Sequence, residues 1–178
     1  GVPRICFVNK MDRVGASYER TIEAIRDRLG ANPIPRQLPI GFEATFRGVV
    51  LLLEEKAAIW EDDLGIDPNI IDMPEELREQ ARESRAYMVE KIAELDDELT
   101  LKYLEAQEIT LDELKAALRK GVIANMAAPV FCGSSLKNKG VQVLLDAVID
   151  FLPSPLDVPP LKGTDVDREE VIELPPRD

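Results

Sequence analysis

The spacing of apolar residues changes several times along this chain, and each change predicts a different element. Arg4–Val8 is a short β-branched run with the composition of a buried strand. Tyr18, Ile22, Ile25 and Leu29 then fall at steps of four, three and four. That spacing makes one face of a helix that opens near Ala16 and stops at Gly30. Asn32–Arg36 carries two prolines and is forced to extend. Gln37–Ile40, Phe46–Leu53 and Lys56–Trp60 read as short strands between Gly- or Glu-containing turns, and Ile70-Ile71 reads as another. No long helix separates them, so the pattern predicts a small, mostly antiparallel sheet.

A helical period follows. Asp72–Glu75 is a capping signal. Leu77, Ala81, Ser84, Met88, Ile92, Leu95 and Leu99 continue at steps of three or four, predicting a long helix broken or bent near Asp96-Asp97. A short helix is expected from Leu101 to Ala106. Thr110 and Glu113 form a capping box opening a helix through Leu114, Ala117 and Leu118 that ends at Gly121. Ala128–Cys132 is a second buried-strand run, and Val141–Leu152 a strongly apolar helix. Pro153–Pro160 cannot hold a helix, and the acidic, Pro-bearing tail reads as a linker.

The fold class is therefore α/β: two parallel strands with helices, interrupted by a small α+β insert. The predicted boundaries are 1–36, an insert at 37–127, a return to α/β at 128–153, and a linker at 154–178. If the two parallel strands are neighbours, their polar loops, Asn9–Asp12 and Gly133–Leu136, meet at one sheet edge. Loops beyond the carboxyl ends of such strands are where open α/β sheets bind ligands.

Composition narrows the function. The chain holds 178 residues with a net charge of −12, two cysteines and no histidine. The absence of His excludes His-based catalysis. Cys6 and Cys132 lie in apolar runs and read as reduced thiols, suited to a cytoplasmic protein. No apolar run approaches a membrane span. Residues 54–113 carry 20 acidic and 6 basic side chains. So acidic an insert argues against direct nucleic-acid binding; such runs are usually solvated faces, and docking of a basic protein is the alternative. The chain starts almost inside a strand, which suggests a fragment of a longer protein.

Asn9, Lys10 and Asp12 have a definite chemistry for guanine. A carboxylate accepts two parallel hydrogen bonds from the ring N1–H and the exocyclic amine, a donor pair that adenine lacks. The Asn9 amide suits the O6/N7 side, and the Lys10 stem can lie on the purine with its charge in water. The competing reading is a polar strand-to-helix turn capped by Asp12 and Ser17.

Five stretches in order, Asn9–Gly15, Gln37–Gly41, Pro129–Ser134, Lys137–Gly140 and Phe151–Val158, resemble elongation factor G, the ribosomal translocation GTPase. The resemblance covers essentially the whole chain. It implies the second half of a P-loop-type G domain with its inserted subdomain. It further implies that Asn9, Lys10 and Asp12 bind the guanine of GTP or GDP, with backbone amides of Ser134, Ser135 and Leu136 facing O6. Ser135 stands where alanine is common in the family. The expected partners are the ribosome and, through the acidic insert around 75–95, its stalk protein. The alternatives are a ribosome-protection or release-factor GTPase, or a non-catalytic acidic docking module. The sequence has no G-x-x-x-x-G-K-[ST] loop, so no catalytic residue and no Mg²⁺ ligand is assigned, and the chain alone is expected not to hydrolyse GTP. Asp27–Gly30 and Asp62–Gly65 match D-x-x-G literally, but one lies in a predicted helix and the other in the insert.

Overall fold

The structure, a computed structural model, describes residues 1–62, 64–157, 160–164 and 171–174. In chain order its elements are β1 (Cys6–Val8), α1 (Tyr18–Leu29), β2 (Pro33–Pro35), β3 (Gln37–Ile40), β4 (Gly48–Leu51), β5 (Lys56–Ile59) and β6 (Asn69–Asp72). Then come α2 (Arg78–Ala93), α3 (Asp97–Leu104), α4 (Leu111–Ile123), β7 (Ala128–Cys132), α5 (Val141–Phe151), β8 (Leu161–Thr164) and β9 (Val171–Leu174).

The two predicted parallel strands are indeed neighbours. β1 pairs with β7 over Cys6↔Val130 to Val8↔Cys132, so both chains leave the sheet at the same end. The sheet has a third member that the sequence disguised: β2 runs parallel along the far side of β7, giving the order β1-β7-β2. Prolines normally keep a segment out of a ladder because they lack a donor. Here Asn32 and Arg36 make the bonds to β7, with Ala128 N–H donating to Asn32 and Arg36 N–H to Val130. Pro33 and Pro35, at the alternate positions, turn their nitrogens to the outer side.

The insert forms the expected antiparallel sheet, ordered β3-β4-β5-β6. Helix α2 packs on α4 and β2. Its apolar stripe, Ala81, Met88 and Ile92, is buried in the main core. The break near Asp96 is present: the Asp96 carboxylate accepts from the Glu98 and Leu99 amides and starts α3. The separate short helix expected at 101–106 is the end of α3. The Thr110–Glu113 capping box opens α4 as expected.

The helix does not stop at Gly121, however, but continues to Ile123. Gly121 is an approach point instead: a Cβ there would lie 2.6 Å from Leu95 Cδ1. The tail also differs from a plain linker, because β8 and β9 pair antiparallel. Residues 158, 159, 165–170 and 175–178 of that segment lie outside the described residues.

A second, smaller core sits beneath the carboxyl ends of β1 and β7. It unites Met11, Tyr18, Val130 and Cys132 with Phe46, Val49 and Trp60 of the insert. Burying a side chain of this size contributes about 1.5–3 kcal/mol. The loop after β1 is therefore anchored, through Met11, on a core that the insert helps to build.

Candidate functional site

The loop Asn9–Asp12 turns sharply where β1 ends. Lys10 takes a left-handed φ of 63° and its amide donates to the Asn9 side-chain oxygen at 2.7 Å. Such a φ is uncommon outside glycine and needs surrounding structure to hold it. That structure is the second loop. Gly133 N–H donates to Val8 O and Met11 N–H to Gly133 O, both at 3.1 Å, which extends the β1–β7 pairing past the sheet.

Asn9 is the cross-link. Its Oδ1 accepts from the Ser135 amide and from the Ser135 hydroxyl, each at 3.0 Å. With the Lys10 amide, three hydrogen bonds converge on this one oxygen, and two of them tie the loops together. This spends the Asn9 oxygen within the protein, and its Nδ2 takes no part in these three bonds. The Ser135 amide, expected to face a guanine O6, points to Asn9 in this structure. The serine at 135 adds a bond here that an alanine could not make.

Asp12 is shielded, its side chain only 7% exposed. Its carboxyl is held below the usual carboxylate value, first by the Ser134 side chain, then by its own backbone amide and by Lys137 and Arg13. The two cations lie 4.0 and 3.9 Å from Oδ2. Ser134 is itself buried at 1% exposure. Asp12 is consequently an ionised acceptor at neutral pH. It is not a helix cap: Ser17 caps α1 by accepting from Arg20 N–H. Lys10 and Leu136 stand exposed on the two loops. All six residues singled out from sequence, Asn9, Lys10, Asp12, Ser134, Ser135 and Leu136, therefore lie on two adjoining loops.

Several supports were not visible in the sequence. Glu43, in a 3₁₀ turn of the insert, accepts from the Gly15 amide at 2.8 Å. Lys139, 8% exposed, reaches the Trp60 carbonyl at 3.4 Å, and its backbone pairs with Ser134 to close the second loop. Gly65 accepts from the Asn138 and Gln142 side-chain amides at 2.9 and 2.7 Å. The insert thus braces both loops, one from each side. No local sequence pattern announces these contacts, since their partners lie 28 to 79 residues apart. Of the two literal D-x-x-G strings, the first ends α1, with Gly30 as its left-handed cap, and the second belongs to this brace.

Among the described residues no three His, Cys, Asp or Glu side chains cluster as a metal site, and no helix is long and apolar enough to cross a membrane.

Residues 1–154 match the family model of the elongation factor Tu GTP binding domain. The chain is also similar to a crystal structure from Thermus thermophilus, at 31% sequence identity and a TM-score of 0.77, over 91% of this chain and 24% of that one. It therefore spans about a quarter of the length of that protein. With nearly its whole α/β frame matched, and with an Asn-Lys-x-Asp loop tied to the loop of the neighbouring strand, the chain belongs to the elongation factor Tu GTP-binding domain family of translational GTPases.

Proposed function

We propose that this chain supplies the guanine-recognition half of a cytoplasmic translation factor of the elongation factor G kind, which couples GTP hydrolysis to movement of tRNA and mRNA on the ribosome. One observation carries the reading: the Asn9 oxygen bridges the two strand-end loops while Asp12 is held ionised beside them. Asp12 accepts from the N1–H and exocyclic amine of guanine. Asn9 donates through Nδ2, and the Lys10 stem covers the base. Leaving Asp12 unpaired makes adenine a poor ligand; sites built this way discriminate by roughly 10⁴ to 10⁵.

The six residues of this site are not proposed as Mg²⁺ ligands, and Mg²⁺ is expected with the nucleotide in the intact protein. The donors at the site are suited to a base, and among the described residues no carboxylate cluster accompanies them. Phosphates and metal would be held by other groups, so no hydrolytic step is assigned here. The ribosome is the proposed partner of the intact protein. The acidic insert is the proposed contact with its stalk protein, although Glu75 and Glu79 already pair with Arg78 and Arg82 along the helix.

The test is Asp12→Asn, with GDP and xanthosine diphosphate affinities measured by fluorescence titration. An amide donates to the 2-oxo group of xanthine, so the variant should lose GDP affinity and gain xanthosine diphosphate affinity. GDP binding equal to that of the unsubstituted chain sinks the assignment.

A further inference from the structure

The insert sheet ends at β6, and that border is open. β6 is the last strand in the order β3-β4-β5-β6. Asn69–Asp72 pairs with β5 on one side, and among the described residues its backbone makes no other backbone hydrogen bond. Asn69, Ile70 and Asp72 are exposed, Ile70 by 53%. A row of unpaired N–H and C=O groups of this kind is a template for a further strand.

Beside the border lies a groove of about 330 Å³, room for side chains of a bound segment. Pro68 and Ile70 form one wall, and α5 forms the other through Val143, Asp146 and Ala147. The loop leading into β6 is fixed against α5, because Gln142 Nε2 donates to the Gly65 and Ile66 carbonyls at 2.7 and 2.8 Å. Asp146 stands one turn further along the same helix face and is exposed. Asp150, a turn beyond it, is paired with Lys115 at 3.1 Å, whereas Asp146 has no ion pair among the described residues.

Charge selects the partner. Glu61–Asp72 holds five carboxylates and no basic residue. Asp72 is paired with Lys56 at 2.6 Å, but Asp67 is exposed and, among the described residues, without a counter-ion. Leu64, Ile66 and Ile70 add exposed apolar surface between the acids. A second copy of the chain pairing β6 to β6 would set these carboxylates against each other. The acids therefore bar self-association while leaving the edge open to a strand that carries lysine or arginine.

We propose that β6 and the groove beside it are a docking site for an extended basic segment of a partner protein, which adds a strand to the insert sheet. Its backbone pairs with the free edge, its apolar side chains pack on Ile70, and a lysine or arginine reaches Asp146. The site is built from other residues than the guanine loops and the acids Glu75–Glu83 of the insert, and rests on neither reading.

The test titrates a fluorescein-labelled, capped peptide of alternating valine and lysine against the 178-residue chain, read by anisotropy and by amide hydrogen exchange. Anisotropy should saturate, and exchange should slow at Asn69–Asp72. The same peptide with every backbone amide N-methylated keeps its charge and loses its donors, so it should bind about tenfold or more weakly. A peptide of alternating valine and glutamate should not bind. Asp67→Lys and Asp146→Lys, both at exposed positions, should each weaken binding about fivefold while far-UV circular dichroism stays unchanged. Equal binding of the N-methylated peptide would mean attraction by charge alone. Protection confined to α2 would make that helix the surface, and dimerisation of the chain through β6 in sedimentation would make a second copy the occupant. Each of these results, like a titration that never saturates, overturns the proposal.

Discussion

Gly65 offers a sharp test of whether the insert braces the two strand-end loops. Its φ is +61°, and a Cβ there would lie 2.3 Å from Lys137 O and 2.9 Å from the Asn138 carbonyl carbon. These are backbone atoms of the second loop, which cannot move aside as a side-chain tip can. Gly65→Ala therefore carries two costs. A non-glycine residue in the left-handed region costs about 1–2 kcal/mol, and overpacking adds about 1–3 kcal/mol. The total, about 2–5 kcal/mol, corresponds to a fall in Tm of about 4–20 °C for a chain of this size.

Gly30→Ala is the internal control. Gly30 has a similar φ of +58° with nothing within 4 Å of the added carbon, so it carries the first cost alone, a fall of about 2–8 °C. The second readout separates them further. Gly65→Ala should weaken fluorescent GDP binding at least tenfold, because relief of the clash displaces the Lys137–Asn138 backbone beside Asp12. Gly30→Ala should leave affinity unchanged. Equal melting temperatures and equal affinities for the two variants would refute the idea that the insert positions the second loop.

The remaining predictions concern the same frame. Asn9→Ala removes one acceptor shared by three donors; GDP affinity should fall at least tenfold while far-UV circular dichroism stays unchanged. Glu113 is held down to about 2 by the Lys102 ammonium, then by Thr110. Its folded value lies below the unfolded one, so its stabilising effect is present above about pH 4.5 and is lost towards pH 2. The Tm gap between Glu113→Gln and the parent chain should accordingly shrink over that window. Charge reversal at Glu75, Glu76, Glu79 and Glu83 should lower ribosome-stimulated GTP turnover of the intact factor if the helix docks a basic protein; unchanged turnover would mean a solvated face.

The parts of the fold legible in sequence were those whose cause is local. The runs at Arg4–Val8 and Ala128–Cys132, the break at Asp96 and the capping box at Thr110 carry their own explanation. β2 was hidden because a strand with two prolines reads as an extended connector; only its bonding phase against β7 makes it a ladder member. Gly121 reads as a terminus in the sequence because a helix-stopping glycine and a close-packing glycine look alike until Leu95 is placed against it. At the site, the residue types were readable and the wiring was not. Asn9 suggested a ligand donor, whereas its oxygen is an internal strut. The unassigned position of the Asn-Lys-x-Asp pattern, Met11, is what anchors the loop to the insert.

The outward-facing nitrogens of Pro33 and Pro35 give the parallel sheet a built-in polarity of growth. Along the outer edge of β2, where Pro33 is buried and Pro35 half-buried, alternate positions present ring carbons where another chain would need N–H donors. A strand cannot zip onto that border without losing successive bonds. The opposite border, β1, carries no proline between Cys6 and Val8 and keeps its donors. The sheet can therefore be extended along β1 but is chemically sealed along β2, a defence against edge-to-edge aggregation written into two prolines.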